Sequence, residues 1–240
     1  MDFLSPSQII TYNTCPYKYY CKYTHRPTIK VSEVAKDFGT GVHDIILAYY
    51  KKINEDTPID MALEKMEEAF AEGNLKTGES KKAKLKRVQS NFKVWETERI
   101  KKNRRLPTFT ERTLKAEIFD GLPPMEGIID AYYGDTALWV DWKTGDYEEM
   151  DFDRMVQGKC YEMLLTANDY PVEGGFFVNL SKGIRNPLPK IADSWLEKKI
   201  RTMVERIERF DFSPKKNHYC DGWCEYRLSC DLKNACPWGI

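Results

Sequence analysis

Residues 127–145 read GIIDAYYGDTALWVDWKTG. Two runs of β-branched, aromatic and aliphatic residues flank the turn signal Gly134-Asp135-Thr136. The stretch therefore predicts two strands joined by a short turn, which pair antiparallel. Asp130 lies in the first strand and Asp141 near the end of the second, so the pairing brings the two acids close. Asp141 and Lys143 are two residues apart and share one face of their strand. Charge at the end of a buried strand is costly unless it is paired or holds a metal. The string alone leaves two readings open. One is a salt bridge beside a turn. The other is a pair of carboxylates for a hard cation such as Mg²⁺ or Mn²⁺, with a lysine that orients or deprotonates a water.

Outward from this hairpin, residues 109–119, 126–133 and 137–143 read as a three-stranded meander, with Asp120-Gly121-Leu122-Pro123-Pro124 as the first turn. A helix over about 152–168, a strand over 174–180 and a helix over 193–210 follow. Upstream, Ser5-Pro6-Ser7 starts a helix expected to reach about Tyr23. A second helix runs from Val34 to Ile53 and carries His43. Residues 58–73 keep amphipathic helical spacing, and 76–105 form a long basic helical stretch. The pattern predicts one α/β domain over residues 1–240. It has a central mixed sheet flanked by helices and a helical insertion at about 54–105.

The chain has 240 residues, 42% hydrophobic and 31% charged, so it can bury a core. With 37 basic and 37 acidic residues there is no global basic field, and affinity for nucleic acid needs a local patch. One candidate is 76–105, with twelve Lys/Arg against three Glu; the competing reading is a solvated face balancing the acidic 58–73 helix. No apolar run reaches membrane length and no signal peptide opens the chain, so the expected location is cytoplasmic, with no membrane partner. There is no GxxxxGK[ST] motor loop, so any unwinding needs a separate helicase.

Seven cysteines are many for a reducing compartment, and Cys220, Cys224, Cys230 and Cys236 crowd one end. Such a cluster points to metal before disulfide. Cys220, Cys224, Cys230 and Cys236 could form a tetrahedral Zn²⁺ site, although the spacings x₃, x₅, x₅ are loose for one, or they could stay unligated thiols. Cys21 and Cys160 read as core residues.

Taken in chain order, these segments resemble the RecB-like branch of the PD-(D/E)xK nucleases, including its iron–sulfur CRISPR-associated and AddB-type nuclease domains. The segments are LSPSQIITYNTCPYKYY (4–20), GTGVHDII (39–46), EGIIDAYY (126–133), VDWKTGD (140–146), QGKCYEMLL (157–165) and WCEYRLSC (223–230). The resemblance implies a restriction-endonuclease-like core. It implies His43, Asp130, Asp141 and the Trp142 carbonyl as ligands of Mg²⁺ or Mn²⁺, and Lys143 as the residue that positions or activates water. Gln157 would support the site or contact DNA, Tyr161 would bind the DNA backbone, and Glu117 stands where relatives carry a further glutamate. Cys15, Cys220, Cys224 and Cys230 would hold a [4Fe–4S] cluster that clasps tail 218–240 to the N-terminal helix. The sequence departs at Ile129, where the family name implies proline, and in the three-residue gap between Cys220 and Cys224, usually two.

The expected activity is that of a metal-dependent DNase, an exonuclease on single-stranded or end-exposed DNA. It would serve repair, recombination or CRISPR adaptation beside a helicase or recombination partner. Two other classes stay open: a nucleic-acid-binding assembly subunit with a vestigial site, and a zinc-stabilised interaction domain.

Overall fold

A computed structural model of the chain describes residues 2–25, 34–73, 75, 79–102, 104–145, 147–217, 220, 224–226 and 230. Helix α1 (Pro6–Thr14) begins at a reciprocal capping box: Gln8 N–H donates to Ser5 Oγ at 3.2 Å and Ser5 N–H to Gln8 Oε1 at 2.7 Å. The sequence predicts one helix to Tyr23, but the chain breaks at Cys15. Pro16 disfavours a helical conformation for the residue before it, and Cys15 is extended. Helix α2 (Pro16–Tyr19) and a π-helical turn (Tyr20–His25) follow. Three helices then come together, α3 (Val34–Lys51), α4 (Ile59–Glu72) and α5 (Glu79–Lys101).

The sheet comprises β1 (Phe109–Ala116), β2 (Met125–Tyr133), β3 (Leu138–Lys143), β4 (Gly174–Asn179) and β5 (Ile184–Pro187), in that spatial order. Helix α6 (Phe152–Ala167) crosses from β3 to β4, making that pair parallel while the others are antiparallel. Helix α7 (Asp193–Glu208) closes the described fold. Strand β5 is absent from the sequence expectation. It is four residues long, ends in Pro187 and lies at a sheet edge, where proline costs no ladder bond. The result is a mixed α/β sheet flanked by helices, consistent with a restriction-endonuclease-like fold.

Each face of the sheet has its own core. Trp139, Phe177 and Ile129 pack with Val156, Cys160 and Leu164 of α6 and with residues of α1 and α7. Val140, Trp142 and Val178 pack with Val42, Ile46 and Tyr49 of α3 and Val88 and Phe92 of α5. Gly175 sits opposite Trp139, and a Cβ there would run into the indole. Helices α3 and α5 are tied to the sheet by a buried polar knot. Glu96, fully buried, accepts from Tyr49 at 3.0 Å, Tyr50 at 2.6 Å and Arg99 at 2.9 Å. Tyr50 in turn meets Tyr133 of β2 at 3.1 Å. Every member is satisfied, as burial of such a network requires.

Candidate metal centre

The hairpin registers put three acids in one row. Thr110 pairs with Ala131 and Arg112 with Ile129, so Glu111 lies opposite Asp130. Ala131 pairs with Val140, and the next step places Asp130 opposite Asp141. The backbone is distorted along this row. Glu111 has φ 48°, a left-handed value that a side chain rarely adopts. On β2 the usual alternation fails there too: Ile129 packs with the α6 layer and Ala131 with the α3 layer.

His43, on α3, reaches over this row. Its Nδ1 is 2.9 Å from Glu111 Oε1 and 3.6 Å from Asp130 Oδ2, and its Nε2 is 2.9 Å from the Trp142 carbonyl. Both ring nitrogens face acceptors, the arrangement of an imidazolium. Burial would lower the His43 pKa, but the Asp130 charge and the Glu111 hydrogen bond outweigh it and raise it to about 9. Asp130 is pushed up to about 8 by burial and by the Asp141 charge, against the pull of His43 and Lys143. Its Oδ2 also accepts from Trp142 N–H at 2.7 Å.

Asp141, 1% exposed, is held from the other side. Its Oδ1 accepts from Gln157 Nε2 at 3.0 Å and from the Tyr161 hydroxyl at 3.1 Å. Lys143 Nζ stands 2.6 Å from Oδ2 as an ion pair, but no aligned hydrogen bond reaches that buried oxygen. Burial would lower the Lys143 pKa, yet Asp141 and Asp130 raise it, so Lys143 stays cationic. Beyond Lys143 the chain is pinned by buried Asn179, whose Nδ2 donates to the Gly145 and Tyr147 carbonyls at 2.9 and 2.7 Å.

A divalent cation fits this chemistry. Ligand atoms of His43, Glu111 and Asp130 all lie within 4.8 Å of one another. Three buried or half-buried acids crowd one row, and burial with the Asp141 charge pushes Asp130 up to about 8, a repulsion that a divalent cation would relieve. Hard oxygen donors with one imidazole suit Mg²⁺ or Mn²⁺.

The structure alters several expectations. Asp141 is not in the compact group of ligand atoms; Glu111 is, because Gln157, Tyr161 and Lys143 draw the Asp141 carboxylate their way. Glu117 lies elsewhere, lining a groove with Lys159 and Glu162. Tyr161 is 3% exposed, its ring edge-on to Trp139 at 5.5 Å, so it underpins Asp141 rather than presenting a surface to a strand. The Trp142 indole packs against Phe92 and Trp95 on the far face, leaving only its backbone at the site. Of the basic 76–105 stretch, Lys93 pairs with Glu67 of α4 at 2.9 Å, Lys102 approaches Glu98 and Arg99 is buried on Glu96. Those charges balance acids.

A family model described as the PD-(D/E)XK nuclease superfamily matches residues 3–231. The chain belongs to the PD-(D/E)XK nuclease superfamily. Membership makes nuclease chemistry the frame for the acids and lysine just described. No curated protein matches the chain. Among solved structures, the PD-(D/E)XK chain is similar to one titled "Crystal structure of SSO0001", at 15% identity and a TM-score of 0.39, over 94% of this chain and 95% of that one.

Cys15, Cys21, Cys220, Cys224 and Cys230 gather where α1 ends. Cys15 Sγ accepts from Lys215 N–H and Cys220 Sγ from Asn217 N–H, each at 3.4 Å. Asn217 Nδ2 donates to the Thr14 carbonyl at 3.1 Å, and Lys18 pairs with Glu225 at 3.1 Å. The Cys21 thiol is raised by burial and by its neighbours Cys230 and Cys15, and that of Cys224 by burial, Glu225 and Cys15. Cys21, expected as plain core, thus stands among the expected ligands. Cys236, part of the zinc set, lies outside the described residues. Among the described residues, no helix is long and apolar enough to cross a membrane.

Proposed function

We propose that the protein is a metal-dependent deoxyribonuclease of the RecB-like branch, an exonuclease that trims single-stranded or end-exposed DNA. The observation that carries this reading is the convergence of Asp130, Asp141, Lys143 and His43 on one row of the sheet, within a chain of the nuclease superfamily.

His43, Asp130 and the Trp142 carbonyl would hold Mg²⁺ or Mn²⁺, with Asp141 joining them once its Oδ2 turns from Lys143 to the cation; the metal supplies Lewis-acid polarisation of the phosphate and an acidified water. Glu111 holds Nδ1 of His43 and so fixes the ring, the role that carboxylates take behind metal-binding histidines. Lys143 is cationic, so it steers the attacking water and offsets charge growing on the phosphate rather than taking a proton. Gln157 and Tyr161 aim the Asp141 carboxylate. The chain acts as one unit, with the helical insertion supplying His43's support.

Cys15, Cys220, Cys224 and Cys230 suit a [4Fe–4S] cluster: backbone amides already point at two of the sulfurs, as they do around cluster thiolates. Bound there, the cluster would serve as a structural clasp between α1 and the tail. Such an enzyme works on DNA ends in repair, recombination or CRISPR adaptation, with a helicase or recombination partner.

End-labelled single- and double-stranded DNA, incubated with Mg²⁺ or Mn²⁺, tests the reading. Cleavage is expected with wild type and is lost in Asp141→Ala and Lys143→Ala variants that keep their circular-dichroism spectrum. Equal cleavage by either variant refutes the assignment. An anaerobically purified sample lacking iron and the broad band near ~400 nm refutes the clasp.

A further inference from the structure

A groove of about 820 Å³ runs between α1, α7 and the segment 213–216, away from the metal-site residues. Its size is within the ~300–1,000 Å³ typical of ligand clefts. Lys198, Lys199, Arg206, Lys215 and Lys216 line it, and no acidic residue does. In a chain of 37 basic and 37 acidic residues that is a marked local excess. Arg206 is matched by Asp211 at 2.8 Å. The four lysines are exposed and, among the described residues, lie within 4.0 Å of no carboxylate; Lys215 instead donates to the Asn13 carbonyl at 3.0 Å. This sets them apart from Lys93 of α5, which is paired.

The groove also contains half-exposed aromatic surface. Trp195 and Phe152 meet at 5.7 Å and 60°, and Lys199 Nζ lies 5.8 Å over the Phe152 ring. Lys198, Thr202 and Arg206 recur every four residues, so one stripe of α7 carries the cations beside that ring pair. Phe152 opens α6, and Gln157 of the metal centre follows five residues later, about 7.5 Å along the helix axis.

We infer that this groove is a binding site for single-stranded nucleic acid, separate from the metal centre, which holds the strand leading to or from the cut. The lysines meet phosphates, and Trp195 with Phe152 offers a platform for an unpaired base. Duplex bases are already stacked and cannot use such a platform. The inference rests on the nuclease reading for its biological sense, but its test needs no cleavage.

The test is fluorescence anisotropy of a labelled oligothymidylate with the full chain in EDTA, across a salt series. For single strands the slope of log K against log salt is about −0.7 per phosphate neutralised. The triple variant Lys198→Ala/Lys199→Ala/Lys216→Ala, changed only at exposed positions, should flatten the slope by about 2 and weaken binding at least tenfold. Trp195→Ala should weaken binding about tenfold, and Trp195→Phe should restore most of it. An unchanged affinity and slope in the triple variant overturns the site. Equal affinity for a hairpin duplex, or equal competition by polyglutamate at matched charge, overturns the ligand class. Failure of wild type to cut any DNA with Mn²⁺ would defeat the nuclease reading and leave these binding results standing on their own.

Discussion

Asp130→Asn should make the metal-free protein more stable and nearly inactive. Folding moves this carboxyl from 3.8 to about 8 by burying it beside Asp141. At pH 7 the native state therefore holds a proton that the unfolded chain has lost. Stability linked to Asp130 is complete below 3.8 and drains away as pH rises to about 8. Between 3.8 and 7 lie 3.2 pH units, so the cost approaches about 4 kcal/mol at ~1.36 kcal/mol per unit. Asp130 and His43 titrate as a coupled pair, so only part of this falls on the carboxyl alone, and about 2 kcal/mol is expected. An asparagine keeps the Oδ that Trp142 N–H needs and can donate to Glu111 or Asp141. For a chain of this size about 2 kcal/mol is about 4–8 °C in Tm at pH 7, shrinking toward zero near pH 4. With Mn²⁺ at 100 times its Kd, wild type gains about 2.7 kcal/mol and the variant, lacking a ligand, gains little, so the ranking reverses. Thermal melts at pH 4 and pH 7, with EDTA and with Mn²⁺, read all of this. A variant that melts below wild type in EDTA at pH 7, or an equal Mn²⁺ shift in both, would refute the account.

Three further outcomes follow from the same geometry. Glu111→Gly should weaken metal affinity about 10–100-fold by freeing His43, while relieving a left-handed backbone by about 1 kcal/mol; calorimetric titration and a urea melt separate the two. Glu96→Ala should cost about 3–5 kcal/mol, because it strands the buried Arg99 cation and two tyrosine hydroxyls, and should be visible as a loss of soluble folded protein or a lower urea midpoint. Metal binding should release about 1–2 protons at pH 7 and progressively fewer above pH 9, since Asp130 and His43 must both shed protons to ligate. Titration in buffers of different ionisation heat counts them.

The fold was legible wherever periodicity and turn chemistry agreed. The Asp120-Gly121 and Gly134-Asp135-Thr136 turns delimit β1, β2 and β3, and α6 shows its Asp151 cap, whose side chain accepts from Arg154 N–H at 2.9 Å. What escaped had no such signal. The break at Cys15 is a local proline effect inside an otherwise helical pattern, with packing on both sides keeping the apolar spacing intact. Strand β5 is too short and too polar for period-2 alternation to register. The partition of 76–105 between nucleic acid and charge balance depends on which acids lie across from it, and no single helix encodes that.

Glu111 shows most clearly what sequence holds and what it hides. Nothing in TFTERTLKAE singles this glutamate out from Glu117, which fits an alternating strand equally well. The deciding information is register, and it was available: counting outward from the Asp120-Gly121 turn, the residue mirrored on Asp130 is Glu111, and Gly121 has φ 71° as such a turn requires. Counting outward from the next turn mirrors Asp130 on Asp141. Two turns thus fix a three-acid row before any side chain is placed. The kink at Glu111 was not legible, since no residue type there favours a positive φ. Such a strained non-glycine residue persists only where its surroundings over-determine it, and here the surroundings are His43 and the register with Asp130. The strain and the raised Asp130 pKa have a common origin: acids crowded into one row of a buried sheet, at a cost in the metal-free fold that a divalent cation would offset.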